Sequence, residues 1–259
     1  MSQIAAVFKP DHKAFIAYLT VGYPDLDATR KAAVTLASDG ADIIELGIPF
    51  SDPLADGTTI QRASHQARQN GVTLPACFET ARQIRREIAV PLVFMTYYNP
   101  VYNLGLDAFC RRCVEAGVNG LIVPDLPPEE GQELEGVTQE HGLDLIYLLA
   151  PTSSEERIRL VAEHSQGFIY LVSVTGVTGA RDKLPDNLNA FITQVRKVTK
   201  KPLCVGFGIS NAEQAQQLAG IADGVIIGSR IIQLMEADGS LAELTDFTSQ
   251  VRHALNQTI

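Results

Sequence analysis

The chain has 259 residues, of which 46% are hydrophobic and 20% charged, enough apolar material for a large core and too much for a disordered protein. Its 21 basic and 30 acidic residues leave a formal charge of −9 with no basic run. Nucleic acid and anionic membrane surfaces are thereby excluded as principal partners.

The opening segment, MSQIAAVFKPDHK, lacks a basic region followed by an apolar core, so neither a signal nor a transit peptide is expected. The longest uncharged stretch, residues 88–106, carries Pro91, Asn99, Pro100, Asn103 and Gly105, which a spanning helix would not tolerate well. The four cysteines, Cys77, Cys110, Cys113 and Cys204, are too scattered for a disulfide scaffold. Cys110 and Cys113 share a helical pattern with no second pair and no nearby histidine, which argues against zinc or redox chemistry. A cytoplasmic protein is expected.

In chain order, a short helix over 2–8 precedes a strand over 14–20 and a helix over 27–38. Strands follow at 41–46, 91–96, 120–124, 143–149, 167–173, 202–205 and 223–227, each an apolar run rich in Val, Ile, Leu, Phe or Tyr. Helix-period stretches lie between them at 74–88, 106–116, 128–141, 153–164, 187–199 and 211–219, with a last helix at 241–256. Ser153 ahead of Glu155 and Glu156, and Asn211 ahead of Glu213, read as helix starts. Gly40, Gly117, Gly142, Gly167 and Gly220 read as helix stops.

Strands alternating with helices require parallel pairing, because each helix must bury its apolar stripe on the sheet. Eight such units in about 250 residues predict a single (β/α)8 TIM barrel over 1–259, with extra helices at both ends. The doubly wound alternative lacks its fingerprint, since Gly206-Phe207-Gly208 is not followed by a third glycine on schedule.

In such a barrel, catalytic groups sit at the C-terminal ends of the strands. Glu45 is the most unusual residue there. Alternation puts it on one face with Ala41 and Ile43, where neither the barrel interior nor the helix layer welcomes a carboxylate. It is either a glutamate held by a hydrogen bond or an arginine, or an acid/base group with a raised pKa. The following loop, SDPLADG, supplies Asp52 and Asp56, and the loop after the fourth strand supplies Asp125; each is also a natural turn former. Two carboxylates in different environments can divide acid and base roles. Gly179, Gly208, Gly228 and Ser229, after the last three strands, form a candidate phosphate site of backbone amides with a helix N-terminus behind it.

Absences narrow the chemistry. None of the seven lysines ends a predicted strand, so a Schiff base is not expected. The five histidines do not cluster, so no metal site is expected. Proton transfer by carboxylates on a phosphorylated small molecule remains.

The blocks LTVGYPD, ELGIPFSDPLADG, MTYYNP, VPDLPPEE, YLVSVTGVTGA, GFGIS and IIGSR resemble, in order and spacing, the tryptophan synthase alpha subunit family. The resemblance implies a lyase that cleaves indole-3-glycerol phosphate by a retro-aldol reaction. It assigns catalysis to Glu45 and Asp56, and substrate contacts to Tyr18, Tyr170, Thr178 and Phe207. Tyr18 stands where some members have phenylalanine, so an apolar contact there gains a hydroxyl. Gly179, Gly208, Gly228 and Ser229 correspond to the phosphate loops, and Asp52 and Pro53 to the partner-facing part of the second loop. A beta subunit carrying pyridoxal phosphate is implied as partner, in an alpha2beta2 heterotetramer, with no cofactor in this chain. The residues alone leave open another carboxylate-based phosphosugar isomerase, and a mainly regulatory subunit for a partner enzyme.

Overall fold

The computed structural model describes residues 2–172, 188–206, 208–237 and 240–258. Its strands are β1 Ala14–Thr20, β2 Ile43–Gly47, β3 Leu92–Met95, β4 Gly120–Ile122, β5 Asp144–Ile146, β6 Leu148–Leu149, β7 Ile169–Val172, β8 Leu203–Gly206 and β9 Gly224–Ile227. The helices are α1 Leu26–Ser38, α2 Thr58–Gln69, α3 Leu74–Arg85, α4 Tyr98–Leu104, α5 Leu106–Glu115 and α6 Pro128–Glu140. They continue with α7 Glu155–His164, α8 Leu188–Val198, α9 Ala212–Ala219, α10 Ser229–Ala237 and α11 Ala242–Asn256.

All strand pairings are parallel, in the order β5-β4-β3-β2-β1-β9-β8-β7-β6. The two outermost members, β5 and β6, are separated in sequence by Tyr147 alone, so the chain itself closes the barrel. The fifth strand expected at 143–149 is thus two pieces. At the break, the Ser165 hydroxyl accepts the Tyr147 N–H at 3.0 Å, a bond that lies outside the strand ladder. Among the described residues no helix is long and apolar enough to cross a membrane.

Each helix buries one stripe against the strands. In α11 the buried set Leu244, Phe247, Thr248, Val251 and Leu255 repeats every three or four residues. Asn211 caps α9 by accepting the Gln214 N–H, as its position predicts. The start of α7 differs: Ser154 is its cap, and Ser153 instead accepts the Ala150 N–H at 3.1 Å, bracing the turn before it.

Three helices were not expected at their positions. In α2 only Ala63, Ser64 and Ala67 are buried, so no large apolar residue marks its stripe. α4 carries Pro100 in its first turn, where a missing N–H costs nothing. α10 begins inside the GSR motif, at Ser229.

The helix expected over 2–8 is only a 3-10 turn, Ala5–Val7, because its buried anchor is a single side chain. Ile4 is fully buried in the cluster inside the barrel with Ile16, Ile43, Val93, Ile122, Ile146, Phe168, Cys204 and Ile226. It fits because two neighbours have no Cβ. A Cβ on Gly120 would lie 2.7 Å from Ile4 Cδ1, and one on Gly167 would lie 2.8 Å from Ile4 Cγ2. The base of the barrel is therefore plugged.

Candidate active site

Because strand side chains alternate, the inner residues of that cluster fix what stands one repeat nearer the C-terminal mouth. Two positions on from Ile16, Ile43, Val93, Ile122, Ile146, Phe168, Cys204 and Ile226 come Tyr18, Glu45, Met95, Pro124, Leu148, Tyr170, Gly206 and Gly228. Seven of these eight line a cavity of about 510 Å³; Glu45 is the exception. It is paired with Tyr18 in the β1–β2 register and with Val93 in β2–β3.

Glu45 is 0% exposed, and neither Oε1 nor Oε2 has a hydrogen-bond partner among the described residues. Among the described residues nothing holds this glutamate. Burial raises its pKa to about 8, with the charge of Asp56 adding to the effect. At neutral pH it holds its proton.

Asp56 lines the cavity from the loop between β2 and α2. Burial raises its pKa to about 7, while a hydrogen bond from Tyr97 pulls the other way. The two acids interact electrostatically, so protonation of one favours ionisation of the other.

Two tyrosines frame them. The ring of Tyr18 spans from Gly228, where a Cβ would lie 3.1 Å from Tyr18 Cδ1, to Gly47, where one would lie 2.1 Å from its hydroxyl oxygen. That hydroxyl meets Thr20 Oγ1 at 3.3 Å. Tyr170 rests on Gly206, where a Cβ would approach its ring and hydroxyl to 2.8 Å. Both phenols titrate well above the usual range, chiefly through burial; Asp56 is the largest further influence on Tyr18 and Glu45 on Tyr170.

Gly208, Gly228 and Ser229 all border the cavity, and Ser229 starts α10. Gly208 has φ +72°, a left-handed conformation that glycine adopts without strain. Thr178, Gly179 and Phe207 lie outside the described residues. Asp52 is exposed and Pro53 half-buried, and Leu54 beside them is 90% exposed, an apolar side chain held out in solvent. Asp125 borders the cavity, but its Oδ1 accepts the Tyr98 N–H at 2.8 Å and so caps α4. Cys110 and Cys113 are both buried free thiols. Among the described residues no three His, Cys, Asp or Glu side chains are grouped to hold a metal ion.

Tyr97 is the residue that sequence reasoning missed. It follows β3, its hydroxyl accepts the Ala55 N–H at 2.9 Å, and its ring stacks on Phe50 at 5.1 Å and 22°. Its signal was the aromatic pair in MTYYNP, but the pair does not reveal which tyrosine turns toward the second loop. Tyr98 turns away, toward Tyr102.

A closed parallel barrel with a cavity at the C-terminal mouth of its strands, lined by Asp56 and with a buried Glu45 that has no hydrogen-bond partner among the described residues, is the architecture of an enzyme. The comparisons with known proteins make this specific. The family model described as "Tryptophan synthase alpha chain" matches residues 4–258, and the chain belongs to that family. A tryptophan synthase alpha chain from Dehalococcoides mccartyi is 55% identical over 256 residues, covering 99% of this chain and 100% of that protein. Among solved structures, Mycobacterium tuberculosis tryptophan synthase aligns with TM-score 0.92 and 38% identity, over 98% of this chain and 96% of that one. The alpha subunit from Legionella pneumophila aligns with TM-score 0.89 and 36% identity, over 99% of each chain.

Proposed function

We propose that this chain cleaves indole-3-glycerol phosphate to indole and glyceraldehyde 3-phosphate, with Glu45 as the acid and base and Asp56 as the stabilising carboxylate. The observation that carries this assignment is the fully buried Glu45 carboxyl, which has no hydrogen-bond partner among the described residues and whose pKa burial raises. The carbon–carbon bond breaks when the indole carbon becomes a better leaving group. Protonation of ring C3 by Glu45 does this, and the positive charge then placed on the ring nitrogen is stabilised by ionised Asp56. Glu45, now ionised, takes the proton from the glycerol hydroxyl on the carbon being released. That carbon becomes the aldehyde, the bond electrons return to the indole ring, and the proton count balances. Met95, Leu148, Tyr18 and Tyr170 offer the flat apolar surface that an indole requires. The amides of Gly208, Gly228 and Ser229, which border the same cavity, are the proposed phosphate donors, together with Gly179.

A pyridoxal-phosphate beta subunit is the proposed partner, in an alpha2beta2 assembly in the cytoplasm, with no cofactor in the alpha chain. The exposed Leu54 between Pro53 and the cavity-lining Ala55 supports docking at this loop, because partner contact there is felt directly at Asp56.

The test is indole release from indole-3-glycerol phosphate by wild-type, Glu45→Gln and Asp56→Asn chains, with substrate binding measured separately. Both variants should bind substrate; Glu45→Gln should release no measurable indole, and Asp56→Asn should lose about 100- to 1,000-fold in kcat. Near-normal release by Glu45→Gln would remove the assignment.

A further inference from the structure

We infer that Arg157 is the entry cation of the cavity: it attracts the anionic phosphate ester past the acids around the site, and its ion-pair partner Glu129 weakens that attraction. This deepens the proposed function and rests on its phosphorylated substrate.

The charge of the site sets the problem. The chain carries a formal charge of −9, and the cavity is bordered by Asp56 and Asp125, with the buried Glu45 on β2. A phosphate monoester carries a charge of about −1.5 to −2 at neutral pH, so it approaches a surface of its own sign. The amides of Gly208, Gly228 and Ser229 can hold it only in contact, whereas a full charge acts over about 8 Å in physiological salt. Among the described residues one cationic side chain borders the cavity, that of Arg157.

The helix that carries Arg157 does not explain it. Ser154 caps α7, so Arg157 stands in the first turn, where the free backbone N–H groups favour anions and disfavour a cation. Glu155 and Glu156 follow that preference, and Arg157 goes against it. Its Nη1 meets Oε2 of Glu129, in the first turn of α6, at 2.5 Å; its Nη2 and Nε have no partner among the described residues. Because α6 follows β4 and α7 follows β6, the pair stands at the end of the barrel where the strands finish. The two side chains are 36% and 49% exposed, so their pairing adds little to stability. An arginine that reaches both solvent and cavity acts on a charged ligand during its approach, which raises the rate of capture and leaves the bond-breaking step alone.

The experiment measures kcat and kcat/KM for indole release by the full chain, at low salt and at about 0.5 M salt, where charges are screened within a few Å. Arg157→Gln should lower kcat/KM about 3- to 10-fold at low salt with kcat unchanged, and the loss should vanish at high salt. Arg157→Lys should keep most of the wild-type value. Glu129→Gln breaks the same ion pair but frees the cation, so it should raise kcat/KM about two- to threefold. A pair that merely ties α6 to α7 predicts losses in both variants; that result, or an unchanged kcat/KM in Arg157→Gln, would overturn the inference. Arg86→Gln changes the net charge equally at an exposed site where α3 ends, ahead of β3, and should change nothing. A loss there as large as in Arg157→Gln would assign the effect to net charge, against the inference. Calorimetry with glycerol 3-phosphate and with indole separates this role from the reaction. Arg157→Gln should weaken binding of the phosphate ester and leave uncharged indole unaffected. If wild type released no indole yet bound glycerol 3-phosphate through Arg157, the proposed reaction would fall and the entry cation would stand. Equal or absent glycerol 3-phosphate binding in wild type and Arg157→Gln would overturn the inference whatever the reaction, as would an equal loss for indole.

Discussion

Replacing Glu45 by glutamine should make the protein more stable in a way that depends steeply on pH. The folded chain raises this carboxyl from 4.5 to about 8, through burial first and the charge of Asp56 second. A raised acid binds its proton more tightly folded than unfolded, so the folded state is favoured at low pH and loses ground as pH rises. Below pH 4.5 both states hold the proton and Glu45 costs nothing. Between 4.5 and about 8 the cost grows by 1.36 kcal/mol per pH unit, reaching about 3 kcal/mol at pH 7 and levelling near 5 above pH 8. Glutamine has similar size and no charge at any pH, so it keeps the low-pH packing and removes the slope. Urea denaturation at pH 5, 7 and 9 measures this directly. The gap between Glu45→Gln and wild type should be below about 1 kcal/mol at pH 5 and several kcal/mol in the variant's favour at pH 9. Parallel pH profiles would mean that Glu45 has the same proton affinity folded and unfolded, and the burial argument would be wrong.

The same two carboxyls set the pH dependence of turnover: Asp56 must lose its proton, near 7, and Glu45 must keep its own, below about 8, so kcat/KM should form a narrow bell that collapses on both sides. A flat profile from pH 6 to 9 would contradict this. Ile4→Ala empties the plug inside the barrel and should lower stability by about 2–5 kcal/mol; a urea midpoint within error of wild type would show that the plug is dispensable. Gly47→Ala puts a methyl 2.1 Å from the Tyr18 hydroxyl, so Tyr18 must leave its place and indole release should fall sharply. Trimming Tyr18 to alanine in that background should recover stability lost to Gly47→Ala, measured by thermal melting, but not activity; additive losses would refute the clash.

The barrel was legible because each strand is an apolar run and each main helix carries a clear stripe. What escaped were elements whose stripe is made of small residues. α2 shows the sequence Ala63, Ser64 and Ala67 on its buried side, too little apolar bulk to stand out. The N-terminal segment, expected as a helix over 2–8, is only a 3-10 turn: Ile4 is fully buried inside the barrel, with Val7 and Phe8 partly buried against the same cluster. Glu45 was readable from alternation alone, since an acid at an inner position of a closed barrel is costly wherever it points. Tyr97 was not, because its meaning depends on two contacts with a loop distant in sequence. Gly228 was read as an anion contact, and the structure gives it a second requirement, room for the Tyr18 ring.

The burial of Glu45 without a hydrogen-bond partner among the described residues bears on how such an acid can serve both as donor and as acceptor. A carboxyl tied to arginine or to backbone amides would have to break charged hydrogen bonds, about 1.5–3 kcal/mol each, to reach a substrate. Among the described residues Glu45 has none to break. Its neutral form can therefore turn toward the indole at little cost, while its ionised form gains by moving toward whatever donor the cavity offers. In the proposed mechanism that donor is the glycerol hydroxyl. The absence of partners, which lowers stability at high pH, is thus the same property that lets one side chain deliver a proton and then collect another.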